Sequence, residues 1–164
     1  MRQFLNKKFI FYLVITVGIF SLDRISKLYV INIAENYGNV DIFINNFINI
    51  ILIWNTGIGF GLFSFEQSNI YNFITLLIIL INFLIIYLIA TNEGIKNYYL
   101  VIILGGSLGN LFDRFYYSAV PDFIDLNYNG FHWFVFNIAD IFITIGIICL
   151  ILDEIIINKK VKHD

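Results

Sequence analysis

Apolar residues gather into four runs along this chain, at about residues 9–33, 70–90, 98–112 and 134–152. Each reaches or approaches the roughly 20 residues that a helix needs to cross a bilayer. The run at 70–90 holds no Asp, Glu, Lys or Arg, whereas Asp23, Arg24 and Lys27 interrupt the first. No small-residue cleavage site follows that first run, which therefore reads as a helix and not as a cleavable leader. The third run is short and rich in glycine. Between the first two runs, residues 36–69 alternate apolar and polar positions and carry several Gly and Asn, a pattern of short strands and turns. Ser64 and Ser68 are candidate caps for the second helix. The connection at 91–97 is short and makes the second and third helices antiparallel neighbours. The expected architecture is an all-α membrane protein, one domain over 1–164, with four transmembrane helices and a small external β-rich segment between helices 1 and 2.

Composition agrees with a bilayer as solvent: 59% of the 164 residues are hydrophobic and 13% are charged, against about 25% charged in an ordinary soluble domain. The single cysteine, Cys149, excludes a disulfide within the chain. A net charge of -2 gives no footprint for nucleic acid. Lys and Arg fall before the first run, between the second and third, and after the fourth, and are absent from residues 36–69 and 115–133. The positive-inside rule then puts both termini in the cytoplasm and both long connections outside.

On that topology the polar residues of the spans converge at one depth. Asp23 lies toward the outer end of the first span, and Asn110, Asp113 and Arg114 at the outer end of the third. Asp122 and Asp125 lie in the outer connection, Asn137 and Asp140 at the outer start of the fourth. Ionisable groups inside a membrane mark a functional site by default, and scattered structural residues have no reason to share a level. Two pairs, Asn110 with Asp113 and Asn137 with Asp140, have the i, i+3 spacing of one helix face. Asn137 and Asp140 also read as a helix cap with an acid in the first turn. Gly105 and Gly109 form a small-x-x-x-small pattern for close helix packing. Asp113 and Arg114 read as an ion pair, and so do Asp23 and Lys27 at i, i+4. His132 and Trp133 read as interfacial residues.

Two carboxylates held close cannot both ionise, so one keeps a proton while the other acts as base. Such a pair can activate water against an amide and protonate the leaving nitrogen. Spacing alone leaves open which of Asp113, Asp122, Asp125 and Asp140 form it. A rival reading makes Asp122, Asp125 and Asp140 ligands of a divalent cation for phosphoryl or headgroup transfer. Another makes the cluster a solute path in a transporter, although the run at 70–90 offers only Tyr71, Asn72, Thr75, Asn82 and Tyr87.

Five stretches, "DRISK", "NTGIGFGLF", "GGSLGNLFDR", "VPDFIDL" and "FNIAD", together closely resemble the lipoprotein signal peptidase family, in the family's order and over nearly the whole chain. The resemblance implies an aspartyl endopeptidase of the bacterial inner membrane. Such enzymes remove signal peptides from prolipoproteins, cutting before a Cys that carries a diacylglyceryl group. It implies Asp122 and Asp140 as the catalytic pair, with Asn55, Gly57, Asn110, Asp113, Arg114 and Asn137 around them and Asp23 and Lys27 in support. It further implies binding of membrane lipids and of globomycin-type inhibitors, and no metal or other cofactor; a monomer is expected, although the sequence itself does not specify the oligomeric state. Asp125 is assigned a surface or loop-fixing role. Pro121, where Val is common, and Ile58–Gly59, where two Ala are usual, depart from the family pattern.

Overall fold

A computed structural model describes residues 2–57 and 68–161. Four helices, α1 (Arg2–Tyr37), α2 (Ser68–Thr91), α3 (Lys96–Tyr117) and α4 (Ile138–Val161), alternate with two pairs of strands. The strands are β1 (Asp41–Asn45), β2 (Ile48–Asn55), β3 (Val120–Tyr128) and β4 (Phe131–Phe136). They form one antiparallel sheet in the order β1-β2-β3-β4. The all-α expectation is therefore corrected. The strands are not confined to the stretch between the first two helices, because the connection between α3 and α4 supplies half the sheet. The fourth apolar run is likewise divided, its first residues belonging to β4 and α4 starting only at Ile138.

Local chemistry sets both hairpins. Asn45 Oδ1 accepts from the N–H groups of Phe47, at 2.8 Å, and Ile48, at 3.0 Å, closing the β1–β2 turn with a side chain that mimics backbone. At the β3–β4 turn, Asn129 and Gly130 have φ of 50° and 79°. These left-handed values match the turn that continues the twist of a two-residue hairpin. Pro121 has no N–H to give a ladder, yet it lies in an interior strand. It fits because β3 pairs with β4 only from Ile124 onward, leaving β2 as its sole flanking strand at that level.

The helix α3 packs against the other three helices. Its glycines allow this. A methyl on Gly109 would stand 2.5 Å from Asp23 Oδ2 of α1, and one on Gly106 2.6 Å from the Ala139 carbonyl oxygen of α4. Gly105 meets Ile19 of α1 in the same way, so the small-residue pattern is a packing surface. Ile85, Leu100, Ile103 and Leu104 make the core between α2 and α3. Val30, Val40 and Phe123 seat the sheet on α1. Many large side chains on the outer faces, such as Phe73, Phe83 and Ile25, are about two-thirds exposed. Over Lys7–Tyr37 and Asn69–Thr91 the helices are long and apolar enough to cross a membrane. Ser68 is the first residue of α2; Ser64 and Ile58–Gly59 lie outside the described residues.

Candidate active site

The strands join the helices where α1 and α3 end and α2 and α4 begin, and the polar residues singled out from the sequence meet there. Asp23, Lys27, Asp113 and Asn137 are fully buried; Asn55, Arg114, Asp122 and Asp140 are nearly so. Burying this much charge is tolerable only with partners for each group.

The base of the site is an ion cluster between α1 and α3. Lys27 Nζ donates to Asp23 Oδ2 at 2.7 Å, Asp113 Oδ2 at 2.6 Å and Asn110 Oδ1 at 2.8 Å. An ammonium carries three protons, and all three are engaged. Arg24 pairs with the other oxygen of Asp113 and lies 4.7 Å from the centre of the Phe112 ring. The expected Asp113–Arg114 pair is thus replaced by pairs from Asp113 to Arg24 and Lys27. Consecutive residues on a helix point in different directions. Arg114 instead donates to the Gly57 carbonyl and lies 5.1 Å from the Tyr71 ring centre. Its Nε and Nη1 have no hydrogen-bond partner among the described residues.

Above the cluster, three asparagines face two aspartates. The Oδ1 of each asparagine is held by a group that can only donate, which turns its Nδ2 onto a carboxylate. Asn55 accepts from the Gly57 N–H and donates to Asp122 Oδ2, both at 2.8 Å. Asn137 accepts from the Asp140 N–H at 3.1 Å and donates to Asp122 Oδ1 at 2.5 Å. Asn110 accepts from Lys27 and donates to Asp140 Oδ1 at 2.8 Å. Asp140 Oδ2 returns to the Asn137 N–H at 3.2 Å, completing a capping box at the start of α4. The capping expected from sequence is therefore present alongside the contact to Asp122. Asp23 ties α4 to α1 by accepting from the Ala139 N–H at 2.9 Å.

Burial, followed by the neighbouring charge of Asp140, raises the Asp122 carboxyl to about 7, against the opposing pull of Asn55, Asn137 and Lys27. An apolar groove of about 280 Å³ opens beside Asp140, walled by Leu126, Phe134, Phe136, Ile141, Thr144 and Ile145.

Residues 15–156 match the family model described as signal peptidase (SPase) II. The chain is 54% identical to the lipoprotein signal peptidase of Pelagibacter ubique over 96% of its own length and 95% of that protein. It is 36% identical to that of Aquifex aeolicus, over 99% and 96% of the two chains. The chain belongs to the lipoprotein signal peptidase family. It is accordingly a membrane-associated protease that removes signal peptides from prolipoproteins. A solved structure titled a bacterial membrane enzyme superposes with a TM-score of 0.73 at 27% identity, covering 88% of this chain and 87% of that one.

Arg24 reads from the sequence as a charge interrupting a span and not as part of the site, although an Arg in an apolar run is itself a signal. Of the surface and loop-fixing roles expected for Asp125, the loop-fixing one holds. Asp125 is fully buried, 2.7 Å from His132 Nδ1 and 3.2 Å from Asn127 Nδ2, and it fastens the β3–β4 hairpin. His132 is thus a partner for Asp125 as well as a half-exposed residue of the sheet. Among the described residues no three His, Cys, Asp or Glu side chains cluster as ligands for a cation.

Proposed function

We propose that Asp122 and Asp140 are the catalytic pair of an aspartyl endopeptidase that cuts diacylglyceryl-modified prolipoproteins before the lipidated Cys. The observation that carries this reading is Asn137, which hydrogen-bonds both acids at once. With Asp122 raised to about 7, the pair is suited to hold a single proton between them near neutral pH. The ionised carboxylate takes a proton from water, whose oxygen attacks the carbonyl carbon of the scissile amide. The protonated carboxyl then gives its proton to the amide nitrogen as the C–N bond breaks, freeing the amine of the lipidated Cys. Asn55, Asn110 and Asn137 steady the pair. Asp23, Lys27 and Asp113 form the base on which it stands, and Gly57 ties the end of β2 to Arg114. The groove beside Asp140 suits the apolar part of the substrate near the cut.

The same reading sets the protein in the bacterial inner membrane as one domain over 1–164. Four helices cross the bilayer, both termini are cytoplasmic and the sheet lies at the external face. Its support is the absence of Lys and Arg from residues 36–69 and 115–133, together with the apolar outer faces of the helices. Membrane lipids surround it, globomycin-type peptides compete for its site, and it works as a monomer. No metal takes part.

The test is cleavage of a diacylglyceryl-modified prolipoprotein by purified protein in detergent, with and without chelator. Cleavage before the lipidated Cys should persist in chelator and in Asp125→Asn, and vanish in Asp122→Asn and Asp140→Asn. Activity retained in either of the last two removes that acid from the pair, and inhibition by chelator returns the metal reading.

A further inference from the structure

Lys27 lies beneath the acids without bonding either one. Its three hydrogen bonds go to Asp23, Asp113 and Asn110. Resting on the assignment of Asp122 and Asp140 as the reacting pair, we infer that Lys27 is a positioning residue acting through Asn110. By fixing Asn110 Oδ1 it presents the Asn110 amide N–H to Asp140.

The argument begins with the shape of an asparagine. Turning its amide by half a turn exchanges Oδ1 and Nδ2 with almost no change in volume, so hydrogen bonding alone chooses the orientation. Turned one way, Asn110 gives a proton to Asp140 at 2.8 Å. Turned the other way, it would set oxygen against a carboxylate oxygen and N–H against an ammonium. Lysine has no acceptor, so only the first orientation satisfies both neighbours. Charge neutralisation accounts for the Lys27 bonds to Asp23 and Asp113 but not for its bond to the neutral Asn110. The Lys27 bond to Asn110 is the one that leads toward the reacting groups.

The charged groups around Lys27 come from each neighbouring element. They are Asp23 and Arg24 on its own helix, Asp113 on α3, Asp122 on β3 and Asp140 at the start of α4. The Lys27 charge also acts on Asp122, pulling its titration down. Two effects of Lys27 are therefore separable, since orientation passes through Asn110 and charge does not.

The experiment uses the full chain in detergent with diacylglyceryl-modified prolipoprotein, comparing Asn110→Leu, Lys27→Met, Lys27→Arg and the Asn110→Leu/Lys27→Met double variant. Losing one charge-assisted hydrogen bond should lower kcat by about ten- to a hundredfold in Asn110→Leu. KM should stay within about threefold. Lys27→Met should lose as much, and the double variant no more than the worse single. The falling alkaline limb should move to higher pH in Lys27→Met but not in Asn110→Leu, and Lys27→Arg should regain part of kcat. Losses that multiply in the double variant, or an unchanged kcat in Asn110→Leu, overturn the inference. If Lys27→Met does not fold, Asn110→Asp decides instead. It keeps an acceptor for Lys27 but sets a second carboxylate against Asp140, so kcat should fall at neutral pH and recover as the new carboxyl is protonated. A wild-type kcat at neutral pH in that variant overturns the inference. Asp122→Asn and Asp140→Asn run alongside. Cleavage surviving there removes the pair itself, whereas its abolition together with multiplying losses removes only the role of Lys27.

Discussion

Asn137 reaches Asp122 across the junction of sheet and helix, its Nδ2 2.5 Å from Asp122 Oδ1, while its Oδ1 caps α4. Serine can cap a helix but cannot also reach the acid. Asn137→Ser should therefore keep the cap but leave the buried Asp122 Oδ1 without its donor, costing about 1–3 kcal/mol and lowering the cleavage rate by about ten- to a hundredfold. Asn137→Ala should lose the activity and about 1 kcal/mol more, because the cap goes too. Thermal unfolding beside cleavage assays separates the two roles.

Asp122 gives the protein a pH signature. Its carboxyl titrates at about 7 in the folded chain against an ordinary 3.8. Between those values the folded chain holds a proton that the unfolded chain has released, so stability falls as pH rises through the window. The contribution is complete below about 4 and gone above about 7, with a ceiling of about 4 kcal/mol. Unfolding midpoints in detergent should be higher at about pH 5 than at about pH 8, and Asp122→Asn should narrow the gap. Cleavage should decline above about 7, where the shared proton is lost.

Gly109 leaves room for the Asp23 carboxylate, which Lys27 and the Ala139 N–H hold in place. A methyl there cannot be met by a simple side-chain swing. Gly109→Ala should cost about 1–3 kcal/mol by overpacking and disturb the seat of Lys27. Gly18→Ala is the control, because nothing lies within 4 Å of the added methyl. It should be neutral or slightly stabilising.

Asp125 tests the difference between fold and chemistry. Asp125→Ala removes the buried partner of His132 and Asn127 and should cost about 1–3 kcal/mol. Cleavage per folded molecule should be retained. A loss of activity without a loss of stability would bring Asp125 into the reacting group.

The helices were legible because each is largely one long apolar run, and the site because its acids break those runs. The second half of the sheet was not legible as a run. Phe131 to Phe136 is apolar and continuous with the apolar start of α4, so hydrophobicity alone marks no boundary there. A local sign did exist in Asn129–Gly130, whose left-handed pair of residues specifies a tight hairpin. Nothing local could have revealed that Asp113 pairs with Arg24. The partners stand 89 positions apart, and α3 meets α1 there only because Gly105 and Gly109 let the two backbones approach.

The sheet is assembled from two distant stretches, and Asp140 arrives on the last helix. On the proposed assignment of the pair, a chain that ends before α4 holds Asp122 beside Asn55 with neither the second acid nor Asn137. Such a chain should not cleave, because the reacting pair exists only once the start of α4 has closed onto Asp23.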